Sequence, residues 1–143
     1  MPLKKIPANL VVFEMANNHM GSVDHGIRLI ERFGAVRRKF PEFSFAFKLQ
    51  YRDLDTFVHP AMQARMDLKY IKRFAETRLS PVQFGQLVAA MREQGFLAMA
   101  TPFDNASIPL ILEQDLDIIK VASCSFTDWP LLEDIARTDK PVI

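Results

Sequence analysis

Four short apolar runs recur along the chain, and the stretches between them carry apolar residues at helical spacing. Continuous apolar runs of this length are typical of strands that are buried on both faces of a parallel sheet. Apolar positions three residues apart, such as Ile27, Ile30 and Phe33, predict an amphipathic helix. The predicted strands cover residues 9–15, 43–49, 96–100 and 117–122.

The predicted helices begin and end at residues with known capping preferences. Asp24 predicts the N-cap of the first helix, and Ser80 followed by Pro81 predicts the start of another. Gly95 predicts the end of the helix that begins at Ser80. The predicted helices cover residues 25–39, 63–76, 80–94, 106–113 and 128–137.

Residues 51–80 form a long charged segment without a strand-like run. A segment of this length after a strand is often functional. We therefore expect it to contribute more than a simple connection.

Strand and helix alternate four times, and residues 140–143 predict the start of a fifth strand. This alternation predicts an α/β fold with a parallel sheet. Four βα units are half of a (β/α)8 TIM barrel, and the chain stops inside an apolar run. We therefore predict that residues 1–143 are the N-terminal part of a single barrel domain, truncated at the fifth strand. The alternative is a small open α/β sheet whose last strand is residues 140–143.

Charge and composition exclude several classes of protein. The 143 residues include 18 Lys and Arg against 17 Asp and Glu, a balance that argues against binding to nucleic acid or a membrane surface. No apolar stretch approaches the ~20 residues of a spanning helix, and the N-terminus lacks the apolar core of a signal peptide. Cys124 is the single cysteine, so no internal disulfide can form. The sequence predicts a cytoplasmic protein.

A polar side chain ends each apolar run. Glu14, Lys48 and Lys120 end three of them, Thr101 ends the fourth, and Ser123 lies just beyond the last. Parallel strands bring their carboxyl ends to one edge, where α/β proteins place their active sites. A charge there is costly without a partner or a ligand. The two lysines and two hydroxyls therefore predict a site for a small anion, while a purely structural ion pair or snorkelling lysines remain alternatives.

The histidines and the cysteine carry weaker signals. No two of His19, His25 and His59 have metal-ligand spacing, so no complete metal site is predicted within this chain. His19, in the loop after the first predicted strand, is interpreted as an orienting hydrogen-bond group rather than a metal ligand. Cys124 has no evident base nearby in the sequence and is interpreted as a small residue at a strand end.

In these positions the chain resembles the sialic acid (N-acetylneuraminate) synthase family. Residues 14–21, EMANNHMG, are similar to the family segment AEIGxNHxG, and Lys48-Leu49-Gln50 is similar to its K-x-Q strand end. Residues 100–104, ATPFD, resemble STPFD, and residues 120–123, KVAS, resemble K-I-G/A-S. The matches are collinear over essentially the whole chain. Residues 124–130 resemble the spore-coat polysaccharide proteins of the family.

The resemblance implies a barrel enzyme that condenses phosphoenolpyruvate with an N-acyl-aminosugar aldehyde in surface polysaccharide biosynthesis. The product is a sialic-acid-like 2-keto acid, and phosphate is released. The resemblance also implies a homodimer and a divalent metal, Mn²⁺ or Mg²⁺, with its ligands in the second half of the barrel. By the same resemblance Glu14 is catalytic, the phosphoenolpyruvate-binding residues are Lys48, Thr101, Lys120 and Ser123, and the substrate pocket includes Asn18, His19 and Gln50.

Two departures from the family pattern leave the acceptor sugar open. Cys124-Ser125 replaces the usual Gly-Glu, which removes a carboxylate near the sugar, and the loop after Lys48 diverges. Without the second half of the barrel, the fragment alone is expected to be inactive. The alternatives are a barrel scaffold that binds a sugar or anion without chemistry, a related keto-sugar-phosphate synthase, and a Schiff-base aldolase using Lys48 or Lys120.

Overall fold

The computed structural model describes residues 5–143, which contain four β-strands and six α-helices. The strands are β1 Leu10–Glu14, β2 Ser44–Tyr51, β3 Leu97–Pro102 and β4 Ile118–Ile119. The helices are α1 Val23–Arg37, α2 Leu54–Phe57, α3 Lys69–Glu76, α4 Pro81–Glu93, α5 Ser107–Glu113 and α6 Trp129–Ala136. Two 3₁₀ turns, Pro60–Met62 and Ser123–Ser125, complete the order. The first four residues of the N-terminus considered above lie outside the described part.

All four strands are parallel, and their order in the sheet follows their order in the chain, β1-β2-β3-β4. The predicted fifth strand is confirmed at its first residues, because Val142 bridges to Ile119 in parallel and the Val121 amide donates to the Ile143 carbonyl at 2.8 Å. In a doubly wound sheet the order in which strands are added reverses at a switch point, whereas in a barrel each new strand is added beside the previous one. The observed order is that of a barrel.

Alternate residues of each strand separate into two layers. Phe45, Phe47 and Leu49 of β2 belong to the large core, together with buried residues of α1, α4, α5 and α6. Ala46 belongs instead to a small cluster with Met99 and Ile118. Right-handed crossovers between parallel strands keep the helices on one side of such a sheet. The other side is therefore the surface on which polar side chains can be displayed.

Aromatic rings hold α1 against the sheet. Phe13 of β1 lies 4.6 Å from Phe33 of α1 and 5.5 Å from Phe45, measured between ring centroids. Phe47 and Phe96 meet edge to face at 5.4 Å. Such contacts add to the burial of apolar area, which explains the use of many phenylalanines in this layer.

The predicted first N-cap is wrong. Ser22 is the N-cap of α1, with extended backbone, and its hydroxyl accepts from the His25 amide at 3.3 Å. Asp24 lies inside the first turn, where a carboxylate is favourable to the helix dipole. Both residues are good caps in sequence, and the turn that precedes the helix decides between them.

The long segment after β2 is partly helical, as expected, but its helices differ from the prediction. The predicted helix over residues 63–76 shortens to α3, and the short helix α2 appears before it. With four residues, α2 is too short to show a periodicity. Strand β4 is also shorter than the predicted 117–122, since its ladder with β3 covers only Ile118 and Ile119.

The predicted start of α4 is confirmed in detail. The Ser80 hydroxyl accepts from the Gln83 amide at 3.3 Å, the Gln83 side chain accepts from the Ser80 amide at 2.8 Å, and Pro81 occupies the first turn. This reciprocal arrangement satisfies two amides that the helix itself leaves unpaired.

We expect Ser80→Ala in the full-length protein to lower the free energy of unfolding by about 1 kcal/mol, because the cap hydrogen bond is lost. The measurement is urea unfolding followed by circular dichroism. Val82→Ala, on the exposed side of the same helical turn, is the matched control. Equal effects of the two substitutions would contradict a stabilising role for the cap.

Candidate functional site

The polar strand ends share the sheet face that the helices leave uncovered. Because residues alternate along a strand, Glu14, Lys48 and Gln50 lie on the same face as Ala46, whereas their neighbours in the chain point to the helices. Thr101 and Lys120 share this face with Met99 and Ile118. All of them lie at the carboxyl ends of the strands. The predicted convergence at one edge is therefore present.

Lys48 is the centre of this site. Its side chain is buried, with the residue 7% exposed, and its ammonium forms an ion pair with Glu14, its register partner on β1. The ammonium also donates to the Thr101 hydroxyl on β3 at 3.3 Å. Glu14 is held in turn by the Ala16 amide, which donates to Oε1 at 2.9 Å. An ammonium has three donors, so one donor of Lys48 is left for a ligand.

Lys120 and Ser123 lie at the neighbouring strand end without joining this network. Lys120 is half-buried, and within residues 5–143 its ammonium makes no ion pair or side-chain hydrogen bond. Ser123 begins a 3₁₀ turn and is exposed. The structure thus brings Glu14, Lys48 and Thr101 into contact and leaves a second cation beside them. Two cations and a hydroxyl on one edge suit an anion.

Arg52 is a residue that the sequence analysis missed. Its Nη2 donates to Gln50 Oε1 at 3.0 Å, and Gln50 is the register partner of Thr101. The guanidinium carbon lies 3.7 Å from the centre of the Phe103 ring and 4.6 Å from that of Phe74. Burial lowers the pKa of Arg52 to about 10, with Cys124 and Asp104 acting in the opposite direction, so the group stays charged at neutral pH. The sequence did offer one signal for Arg52. It lies two residues after Gln50, so the alternation of side chains along the chain predicts that both lie on the same face.

The loop after β1 buries two polar side chains, Asn17 and His19. His19 is 3% exposed, and its Nδ1 accepts from the Gly21 amide at 3.1 Å, which is the orienting hydrogen bond expected for it. Gly21 has φ +72°, and a Cβ there would lie 2.6 Å from the Glu76 carbonyl oxygen, so α3 packs directly on this loop. Asn17 is the buried asparagine, whereas Asn18 of the predicted pocket is exposed.

Burial lowers the pKa of His19, and nearby His25 lowers it further. The imidazole is therefore neutral at pH 7, and a neutral imidazole can accept the hydrogen bond that is observed. Asn17, His19, Gln50 and Arg52 together line a cavity of about 30 Å³, enough for a water molecule. The cavity connects the β1 loop with the end of β2.

Asp104 joins two parts of the site frame. Its carboxylate accepts from the Asp53 amide at 2.9 Å and from the amide and hydroxyl of Ser107 at 2.8 and 2.7 Å. The aspartate of the ATPFD segment therefore holds Ser107, the first residue of α5, and the chain just after Arg52. Its role here is structural.

Metal ligands are not grouped in this part of the chain. Within residues 5–143, no three side chains among His, Cys, Asp and Glu lie close enough to hold a metal ion. Cys124 is exposed, and its Sγ lies 4.0 Å from the Ser125 hydroxyl.

Comparison with known families decides the relationship. The NeuB family model matches residues 44–143, which is more than half of the chain. The chain belongs to the NeuB family. The predicted relationship is thereby confirmed.

Individual relatives agree with this membership. A Chromobacterium violaceum protein named for spore coat polysaccharide biosynthesis (protein E) is 58% identical and superposes with a TM-score of 0.90, over 94% of this chain and 40% of that chain. The N,N'-diacetyllegionaminic acid synthase of Campylobacter jejuni is 28% identical over 94% of this chain and 41% of its own length. This chain therefore spans about two fifths of these proteins.

A more distant structure supports the fold alone. The N-acetylneuraminic acid synthetase of Leptospira borgpetersenii is 23% identical, with a TM-score of 0.72, over 96% of this chain and 44% of its own. The predicted α/β architecture, with four βα units of a (β/α)8 barrel, is confirmed. None of the helices in residues 5–143 is both long and apolar enough to cross a bilayer.

We expect Glu14→Gln to destabilise the full-length protein by roughly 1–3 kcal/mol, because it leaves the buried Lys48 ammonium without its counter-ion. Lys48→Met should cost less, since the freed Glu14 carboxylate is half-exposed and can be solvated. In the Lys48→Met background, Glu14→Gln should then have little further effect. Urea unfolding of the four proteins measures this coupling.

Glu42→Gln, at an exposed glutamate before β2, controls for the change of net charge. Strictly additive effects of Glu14→Gln and Lys48→Met would show that the ion pair contributes nothing.

We expect His19 to make the protein less stable as the pH falls below about 6.5. The folded protein holds the pKa of His19 below its ordinary value of 6.5, so the unfolded chain binds more protons in acid. The contribution of neutral His19 to the free energy of unfolding is fully present above pH 6.5, and it is lost as the pH falls through the lowered pKa of the folded protein. Thermal unfolding between pH 5 and 8 should therefore show a steeper pH dependence for the wild type than for His19→Asn.

His59→Asn, in the exposed segment after β2, is the control for this pH series. An unchanged slope in His19→Asn would mean that His19 is not the titrating group.

Proposed function

We propose that the full-length protein condenses phosphoenolpyruvate with an N-acyl-aminosugar aldehyde, giving a sialic-acid-like 2-keto acid and free phosphate. The product would serve surface polysaccharide biosynthesis. Membership of the NeuB family and the names of the relatives support the reaction class. The observation that carries the proposal is the buried Lys48, held between Glu14 and Thr101 where three parallel strands end.

Phosphoenolpyruvate suits this edge because it carries a carboxylate and a phosphate in a small molecule. In the proposal, the third donor of Lys48 and the Thr101 hydroxyl bind one anionic group. Lys120 and Ser123, at the end of β4, bind the other. A charged donor is a stronger partner for an anion where water is excluded, and Lys48 is almost fully buried.

Glu14 is proposed as the catalytic carboxylate. One of its oxygens is held by the Ala16 amide and the other by Lys48, while half of the side chain is open to the uncovered face. In the reaction, C3 of phosphoenolpyruvate bonds to the aldehyde carbon, water adds at C2, and phosphate leaves. Glu14 would move a proton or hold a sugar hydroxyl during these steps. Asn18, His19 and Gln50 form the acceptor side in this proposal.

The implied Mn²⁺ or Mg²⁺ does not fit a ligand group within the described residues. We propose that residues beyond this chain hold the metal. The homodimer likewise stays a prediction, which the mass of the full-length protein in solution would test.

We expect the full-length protein to release phosphate from phosphoenolpyruvate when Mn²⁺ and one suitable N-acylated aminosugar are present. Lys120→Ala should raise the Kd for phosphoenolpyruvate about tenfold or more, because a charge-assisted contact is lost. Phosphate release and calorimetric titration with phosphoenolpyruvate measure the two effects. Lys39→Ala, on an exposed lysine after α1, is the control.

Tight binding of phosphoenolpyruvate without turnover would indicate an acceptor outside the panel. If the protein shows no binding of phosphoenolpyruvate and no release of phosphate, the proposal is contradicted. That result would favour a scaffold that has lost its chemistry. An imine trapped by borohydride on Lys48 or Lys120 would instead indicate an aldolase.

A further inference from the structure

The guanidinium of Arg52 is partly buried and forms no ion pair within the described residues. Within residues 5–143, no carboxylate lies within ion-pair distance of its guanidinium. By contrast, Arg65, Arg78 and Arg137 all pair with carboxylates at more exposed positions. The Nε of Arg52 is buried and has no partner in the described part of the chain. A buried donor without a partner is costly, so a ligand that supplied an acceptor there would be favourable.

Several side chains nevertheless hold this guanidinium in place. Phe103 follows β3, while Phe57 and Phe74 come from the long segment after β2, and their ring centres lie 3.7, 5.9 and 4.6 Å from the guanidinium carbon. Gln50 accepts from Nη2 and sets the rotation of the plane. Nη1 makes no hydrogen bond within the described residues and remains a donor. A planar cation fixed in this way is pre-organised for an oxyanion.

The position of Arg52 separates it from the phosphoenolpyruvate site. Three residues lie between Lys48 and Arg52, and four steps of extended chain correspond to about 13 Å between their Cα atoms. Gln50 lies between them on the same face. A molecule as small as phosphoenolpyruvate does not need both cations, because Lys120 already lies beside Lys48 at the strand ends. Arg52 is thus placed for a group on the second substrate.

Asp104 carries a negative charge that acts on Arg52 from beyond ion-pair distance. Cys124, an electrostatic neighbour of Arg52, is one of the two residues that replace the Gly-Glu of the family pattern. Asp104 is engaged by the Asp53 amide and by Ser107. The side of the site that would face the sugar therefore carries an unpaired cation.

We infer that Arg52 recognises an anionic group, a phosphate or a carboxylate, on the acceptor aminosugar. This inference rests on the proposed function and narrows its substrate class. It makes Arg52 a specificity-determining residue that discriminates against neutral sugars, while the bond-forming chemistry stays with the groups around Lys48.

Calorimetric binding to the full-length protein tests the inference independently of turnover. Three probes share the same aminosugar: N-acetylmannosamine, its 6-phosphate and its uronic acid. We expect one anionic probe to bind at least tenfold more tightly than the neutral sugar, and the difference between phosphate and uronate identifies the group. Arg52→Gln should abolish that preference, and Arg52→Lys should restore only part of it, because a lysine lacks the planar donors.

Arg65→Gln makes the same change of net charge on an exposed arginine of the same segment and should leave the preference intact. Thermal unfolding and phosphoenolpyruvate affinity check that Arg52→Gln is folded with its first site unchanged. Equal binding of all three probes, or an anion preference that survives Arg52→Gln, would overturn the inference. So would an Arg52→Gln variant that is folded but has lost affinity for phosphoenolpyruvate, since Arg52 would then serve the first substrate.

Phosphate release with the same probes separates the two proposals. Release with the neutral sugar only, unaffected by Arg52→Gln, would overturn the inference and keep the synthase. An Arg52-dependent preference in binding without any release would keep the inference and count against the synthase.

Discussion

Strand β2 is the constraint on which the rest of this structure depends. It is paired on both sides, to β1 and β3, and it is buried on both faces. Its alternation therefore has no freedom: Phe45, Phe47 and Leu49 must face the helices, and Lys48 must face the other side. A shift of one residue would place a lysine in the aromatic layer and a phenylalanine at the polar edge. The hydrophobic core thus holds the candidate site in register.

The two cations near the end of β2 are stabilised in different ways. Lys48 has an internal counter-ion in Glu14, so it can be buried in the absence of a ligand and still offer one donor. Arg52 has no such partner and is supported by aromatic rings and by Gln50. The two cations, one on β2 and one just after it, therefore represent two ways to hold a charge at the carboxyl edge of the sheet. The ion pair of Lys48 with Glu14 stabilises the lysine without a ligand. The unpaired charge of Arg52 carries a desolvation penalty that a bound anion would offset.

The fold and much of the site could be predicted because they follow from local patterns. Apolar runs and helical spacing indicate four βα units, and the polar residue that ends each run marks the edge where the strands meet. Ser80-Pro81 predicts its cap because the interaction lies within four residues. The choice of Ser22 over Asp24 depends on the turn before α1, and the helix α2 is too short to leave a periodic signal.

The sequence by itself determined the alternation of strands and helices, the family, and the candidates Glu14, Lys48, Thr101 and Lys120, since each depends on residues close together in the chain. Only the tertiary structure decided that Glu14, Lys48 and Thr101 are in contact while Lys120 stands apart. It also decided that Arg52 packs against aromatic rings from two distant segments. Burial and pairing across such distances depend on the packing of many residues, and no local pattern records them.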